Sequence, residues 1–169
     1  GAAADVSAAS ALASAGSTQA RAIAGLYIRL DQPARALPML DDWIRVHGQD
    51  AMLGAVLNTR CWARGLSNQM LKDALRDCRK AIRRDGENPD YLDSLGLVQL
   101  RLGHYAESIK AYEQALAQRP RVAWSRYCLG LAKIRSGQTD AGKADLAAAL
   151  ALDPKIEARA ARYGLTAAG

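Results

Sequence analysis

The sequence predicts an all-α solenoid of about four helical hairpins closed by one further helix. Three observations carry that expectation. Ala81, Ala115 and Ala149 recur at intervals of 34 residues, and Gly86, Pro120 and Pro154 recur in phase with them. Gly96 and Gly130 keep the same interval, as do Cys78, Tyr112 and Leu146. Half of the residues are apolar, yet only 5% are aromatic and none is Phe, so Ala and Leu supply most of the apolar surface. Small side chains of high helix propensity suit helices packed at close range.

The elements follow in order. Residues 1–16 are rich in Ala and Ser and read either as a short helix on the first repeat or as a loose tail. The repeat array is expected over 17–154, in units at about 17–48, 50–86, 88–120 and 122–154. The third unit is the clearest. Asn88 or Asp90 supplies an N-cap, and Pro89 fits the first turn. Leu92, Leu95, Gly96 and Leu100 keep helical spacing until Gly103-His104 breaks it. Tyr105, Ser108, Tyr112, Ala115 and Leu116 form a second helical face, which Pro120 ends. Gly96 and Ala115 are small where two helices must touch, and Tyr112 fills the space beside them. Gly130, Ala149 and Pro154 repeat the scheme in the fourth unit. Ala74, Cys78 and Ala81 repeat its second helix in the second unit, where Cys61-Trp62 stands in place of Leu95-Gly96. In the first unit Trp43 replaces the small Ala, at an interval of 38 residues from Ala81. Residues 155–169 read as a capping helix and tail, with Ile156, Ala160 and Tyr163 on the closing face and a stop at Gly164.

Leu95-Gly96, Gly103-His104-Tyr105, Ser108, Tyr112, Ala115 and Pro120 resemble the tetratricopeptide repeat, and Leu129-Gly130, Gly142, Ala149 and Pro154 repeat the likeness. The resemblance implies a right-handed superhelix whose first helices line a concave groove for protein or peptide partners. In that register one row of the groove is Arg21, Thr59, Asp93 and Tyr127. A second is Gly25, Ala63, Leu97 and Leu131. A third is Arg29, Ser67, Arg101 and Arg135, with Arg60 and Trp124 alongside. Such a groove suits an extended segment carrying acidic and apolar residues, because guanidinium groups bind carboxylates bidentately. A second reading stays open, in which Trp124 and Tyr127 pack on the capping helix and the arginines are solvated. The subclass that clamps chaperone tails uses Lys and Asn at set positions; Arg21, Gly25, Arg60, Asp93 and Leu97 occupy them here, which argues against that ligand.

Other classes find little support. The only histidines, His47 and His104, lie in different repeats without metal-ligand spacing, so no metal or cofactor is expected. No phosphate loop, nucleophile elbow or Cys-x-x-Cys occurs, so no catalytic residue is expected and the chain is read as a non-enzyme. Cys61, Cys78 and Cys128 are odd in number and argue against a disulfide framework. Cys61 and Cys78 lie on the two helices of one hairpin and can approach, but the reading adopted is of small buried apolar residues. Net charge is +6, from 23 basic and 17 acidic residues. The basic run from Lys72 to Arg84 reads as a solvated helix face rather than a nucleic-acid surface, which needs a wider stripe. No stretch is apolar enough to span a membrane. The expected state is a monomer or weak homo-oligomer.

Leu57–Trp62 and Leu92–Leu97 also resemble C-terminal repeat segments of bacterial proteins that carry a retroviral-type aspartic protease domain upstream. That likeness implies the alternative of an accessory domain in a larger enzyme, and leaves bacterial cytoplasm and periplasm both open. Self-association through an uncapped end is a further alternative.

Overall fold

The computed structural model describes residues 1–167 and is all-helical over them. It divides into two compact units, Gly1–Gly86 and Glu87–Gly169.

The first unit holds α1 (Ala2–Leu12), α2 (Thr18–Arg29), α3 (Pro33–Val46), α4 (Leu53–Ser67) and α5 (Leu71–Asp85). The segment with two open readings is helical, but α1 buries only Val6 and leaves Leu12 exposed. Ser17 caps α2 by accepting a hydrogen bond from the Ala20 amide at 3.1 Å. Helices α2 and α3 pair as one hairpin, α4 and α5 as the next, and α3 packs on α4. Trp43 and Tyr27 are buried in the first hairpin, and the His47 ring stacks on Trp43 at 4.4 Å. Asn68, at φ 54°, ends α4 in the left-handed region, which Asn adopts more readily than most side chains.

Cys61 and Cys78 are not the separate small apolar residues that the sequence suggests. Cys61 on α4 and Cys78 on α5 form a disulfide across the hairpin, with their Cα atoms 5.5 Å apart. The two small buried side chains sit where the helices touch, and that proximity brings the sulfurs within bonding reach. Cys128 is free and buried, and burial pushes its thiol far above the ordinary range, so it carries no thiolate.

The second unit holds α6 (Pro89–Arg101), α7 (Tyr105–Gln118), α8 (Ala123–Arg135), α9 (Thr139–Leu152) and α10 (Ile156–Ala161). Asn88 is the cap of α6, accepting from the Tyr91 amide at 3.1 Å. The hairpins are α6–α7 and α8–α9, joined by packing of α7 on α8. Glycine is required where they cross. A Cβ on Gly96 would lie 2.8 Å from the buried Tyr112 ring, and one on Gly130 would lie 2.8 Å from the Gly142 carbonyl oxygen. Gly96 O also accepts the buried Ser108 hydroxyl at 2.8 Å, a bond that needs this close approach. Helix α10 closes the last hairpin, packing on α8 and α9 with Ile156 and Ala160 fully buried.

Candidate functional site

The residues that the repeat register places on the first helices meet three different surroundings. In the first unit, Arg60 is committed to neighbours inside the repeat. Its Nε and Nη2 bond the two oxygens of Asp77 at 2.7 Å each, and its Nη1 bonds Asp41 at 2.7 Å. Arg64 joins them, donating to Asp77 at 2.8 Å and to Asp41 at 3.3 Å. Asp77 is thus a buried carboxylate held by two guanidinium groups, directly beside the Cys61–Cys78 bridge in sequence. Burial pulls Arg60 down, but the bonds and charges of Asp77 and Asp41 outweigh it and hold its pKa above the ordinary value. Burial, and then the neighbouring charge of Arg60, pull Arg64 below it.

Arg21 and Arg29 differ. They line an open pocket of about 280 Å³ together with Gly25, Leu40, Val56 and Thr59. Neither forms an ion pair or side-chain hydrogen bond among the described residues. A Cβ on Gly25 would meet nothing within 4 Å, so this glycine is a floor of the pocket and not a helix contact. Thr59 donates its hydroxyl to Ala55 O at 2.9 Å, so the donors offered to a ligand are those of the two arginines. A volume near 300 Å³ is at the small end of ligand sites and fits a side chain.

In the second unit the same register is covered by the chain itself. Arg101 on α6 donates to the backbone carbonyl of Tyr163, and Arg135 on α8 donates to that of Thr166 at 3.1 Å. Trp124 is buried beneath Tyr163, ring edge to ring face at 6.0 Å and 82°, and the Arg159 guanidinium lies 5.2 Å from the Trp124 ring centre. Tyr127, Leu97 and Leu131 are buried. Asp93 accepts the Ser125 hydroxyl in a short bond at 2.5 Å. Burial pushes its carboxyl up to about 7, with Asp90 adding to the rise while Ser125 and Arg159 oppose it. Burial also lowers Arg101.

Among the described residues no three His, Cys, Asp or Glu side chains come together as a metal site, and no helix is long and apolar enough to cross a membrane. Sequence reasoning put Tyr163 on the closing face but did not find the cluster of Asp41, Arg64 and Asp77, nor the seating of Leu165 and Thr166. A signal for the first set existed: Asp77 and Asp145 share a repeat slot, and Asp145 is likewise paired, with Arg126 at 3.0 Å and Lys133 at 2.9 Å.

Residues 89–122 match the family model of the tetratricopeptide repeat. No curated protein matches the chain. Among solved structures, that of MamA is 20% identical over 81% of this chain and 78% of its own, with a TM-score of 0.62. MamA from Desulfovibrio magneticus RS-1 (residue 41 to the end) is 23% identical over 88% and 87%, with a TM-score of 0.63. YrrB, described as a TPR protein with an unusual peptide-binding site, is 21% identical over 89% and 76%, with a TM-score of 0.60. The chain carries a tetratricopeptide repeat and shares the helical-hairpin fold of these proteins.

Proposed function

We propose that this chain, built on the fold of tetratricopeptide-repeat proteins, is a non-catalytic interaction module that holds an extended protein segment against the first helices of its hairpins. The observation that carries the reading is the bonding of Arg101 and Arg135 to backbone carbonyls of Tyr163 and Thr166. A surface that grips main-chain oxygens in this way recognises polypeptide by the groups every polypeptide has. The peptide-binding site named for YrrB supports the same reading by likeness of fold.

In the first unit the corresponding surface is open, and its chemistry selects a partner. Arg21 and Arg29 lie eight positions apart on α2, about 12 Å along the helix axis. Two cations at that separation suit a segment with acidic residues three or four positions apart, since extended chain advances about 3.3 Å per residue. Gly25 between them leaves room for an apolar or small side chain.

The test is a titration of the full chain, labelled with nitrogen-15, with a decapeptide of alternating Glu and Leu, beside its Gln–Leu counterpart. The expected result is amide shifts centred on Arg21, Gly25, Arg29 and Thr59 with the acidic peptide alone, abolished by Arg21→Glu with Arg29→Glu. Absence of shifts there at low salt, where surface electrostatics are strongest, overturns the assignment.

A further inference from the structure

The segment after α10 is seated against the first helices of the second unit, held by Arg101 and Arg135. Helix α10 already closes the last hairpin through Ile156 and Ala160, both fully buried. The chain then turns at Gly164, whose φ of +68° lies in the left-handed region, and continues through Leu165 and Thr166 without helical structure. These residues do more than a cap requires. Arg101, on α6, four helices before α10, reaches 62 positions along the chain to the Tyr163 carbonyl. Arg135, at the same repeat slot on α8, takes the Thr166 carbonyl at 3.1 Å. Two arginines in register thus hold two main-chain oxygens three residues apart.

The side chains between those oxygens carry the selectivity. Leu165 is fully buried, and Tyr163 lies against the buried Trp124. Main-chain bonds are indifferent to sequence, so what this seat distinguishes is an aromatic residue followed two positions later by leucine.

We propose that the α6–α8 face is an interaction surface for a partner segment that turns as residues 163–166 do and bears that aromatic-x-Leu pattern, and that residues 163–166 are its intramolecular competitor. This rests on the interaction-module reading and names the partner chemistry of the second unit. The segment is seated by the two arginine bonds, the buried Leu165 and the Tyr163 ring on Trp124, together with the turn that ends α10, in which the Leu165 N–H donates to Ala160 O at 3.1 Å. Tethered beside its seat, it competes at an effective concentration that an external segment must overcome.

The experiment uses the full chain and, as probe, a fluorescein-labelled peptide of the sequence of residues 161–167, followed by anisotropy. Leu165→Asp places a charge in the apolar seat and releases the tethered segment, so it binds the probe at least about tenfold more tightly than wild type. Tyr163→Ala, which leaves every backbone group in place, gives a smaller gain in the same direction and serves if Leu165→Asp loses helical circular dichroism. Adding Arg101→Gln and Arg135→Gln to either variant removes the gain. Equal probe affinity in wild type and the folded variants, equal binding of a scrambled probe, or indifference to the arginine changes each overturns the proposal. Such a result leaves the first-unit reading standing, because that one is read at Arg21 and Arg29 with an acidic probe.

Discussion

Replacing Asp77 with Asn tests the ionic cluster of the first unit. The Asp77 side chain is 7% exposed and accepts three N–H bonds, at 2.7, 2.7 and 2.8 Å. Asn has the shape but not the charge, and its NH₂ faces guanidinium donors. Arg64, only 5% exposed, then depends on Asp41 at 3.3 Å, which is itself half in water. Removing one member of a buried ion pair costs about 3–5 kcal/mol, because the remaining charge stays buried without compensation. Arg60 keeps its 2.7 Å bond to Asp41 and is less buried, which places the expected loss near the lower end of that range. A loss of about 3 kcal/mol lowers the midpoint of a chain of this length by roughly 10 °C. The contrasting variant replaces the whole group: Arg60→Met, Arg64→Leu and Asp77→Leu together. That triple change is expected to be neutral or stabilising by about 1–4 kcal/mol, since no charge is left to desolvate. Urea unfolding of wild type and both variants reads the difference. A loss below about 1 kcal/mol for Asp77→Asn, or a triple variant as unstable as the single, refutes the reasoning.

Three further predictions concern a buried carboxyl, two glycines and the disulfide. The Asp93 carboxyl is raised from 3.8 to about 7, so between those pH values the folded chain binds a proton that the unfolded chain has released. Its contribution to stability therefore falls as pH rises through that window and is flat above it; Asp93→Asn removes the fall and is the more stable protein at pH 8, whereas parallel melting curves from pH 4.5 to 8 count against it. Gly25→Ala and Gly130→Ala are expected to have opposite signs. The first fills open space and gains roughly 0.5–1 kcal/mol of helix propensity, and the second drives a Cβ onto the Gly142 backbone and loses about 1–3 kcal/mol; losses of equal size at both sites sink the distinction. Opening the Cys61–Cys78 bridge frees a loop spanning 17 positions, which in the chain-entropy model costs about 3 kcal/mol; identical urea midpoints with and without reductant contradict it.

The hairpins were legible because they depend on composition at fixed intervals. Gly96 and Gly130 mark crossings at which a Cβ has no room, and such steric demands appear directly in the sequence. Asn88 and Pro89 mark a helix start for equally local reasons. Ionic partners were less legible, since a charge at one slot says nothing of what sits opposite it on the next helix. Arg60 looked like a groove residue until Asp41, from the preceding hairpin, and Asp77, from its own, were placed against it. The disulfide was missed for a related reason: the cysteine count argued against a framework, whereas one hairpin needs only two small residues facing each other. The seating of Leu165 and Thr166 lay beyond periodicity altogether, because they follow the stop at Gly164 and belong to no repeat.

Arginine shows how one residue type in one register takes three roles. At Arg60 the neighbouring second helices supply carboxylates, and the charge is consumed inside the fold. At Arg101 and Arg135 the neighbours supply main-chain oxygens of the chain's own segment, and the guanidinium donors are engaged there. At Arg21 and Arg29 the neighbours supply no ion pair or side-chain hydrogen bond among the described residues, and both line an open pocket. The charge left for an external partner is therefore decided by which second-helix slots carry Asp. Asp77 and Asp145 recur at such a slot and neutralise the cations opposite them, Arg60 with Arg64 and Arg126 with Lys133. The slot between them, in the α6–α7 hairpin, holds Ala111. Placing Asp there by Ala111→Asp would bury a carboxylate with no arginine provided opposite it, so the substitution should destabilise the fold without creating a new ion pair.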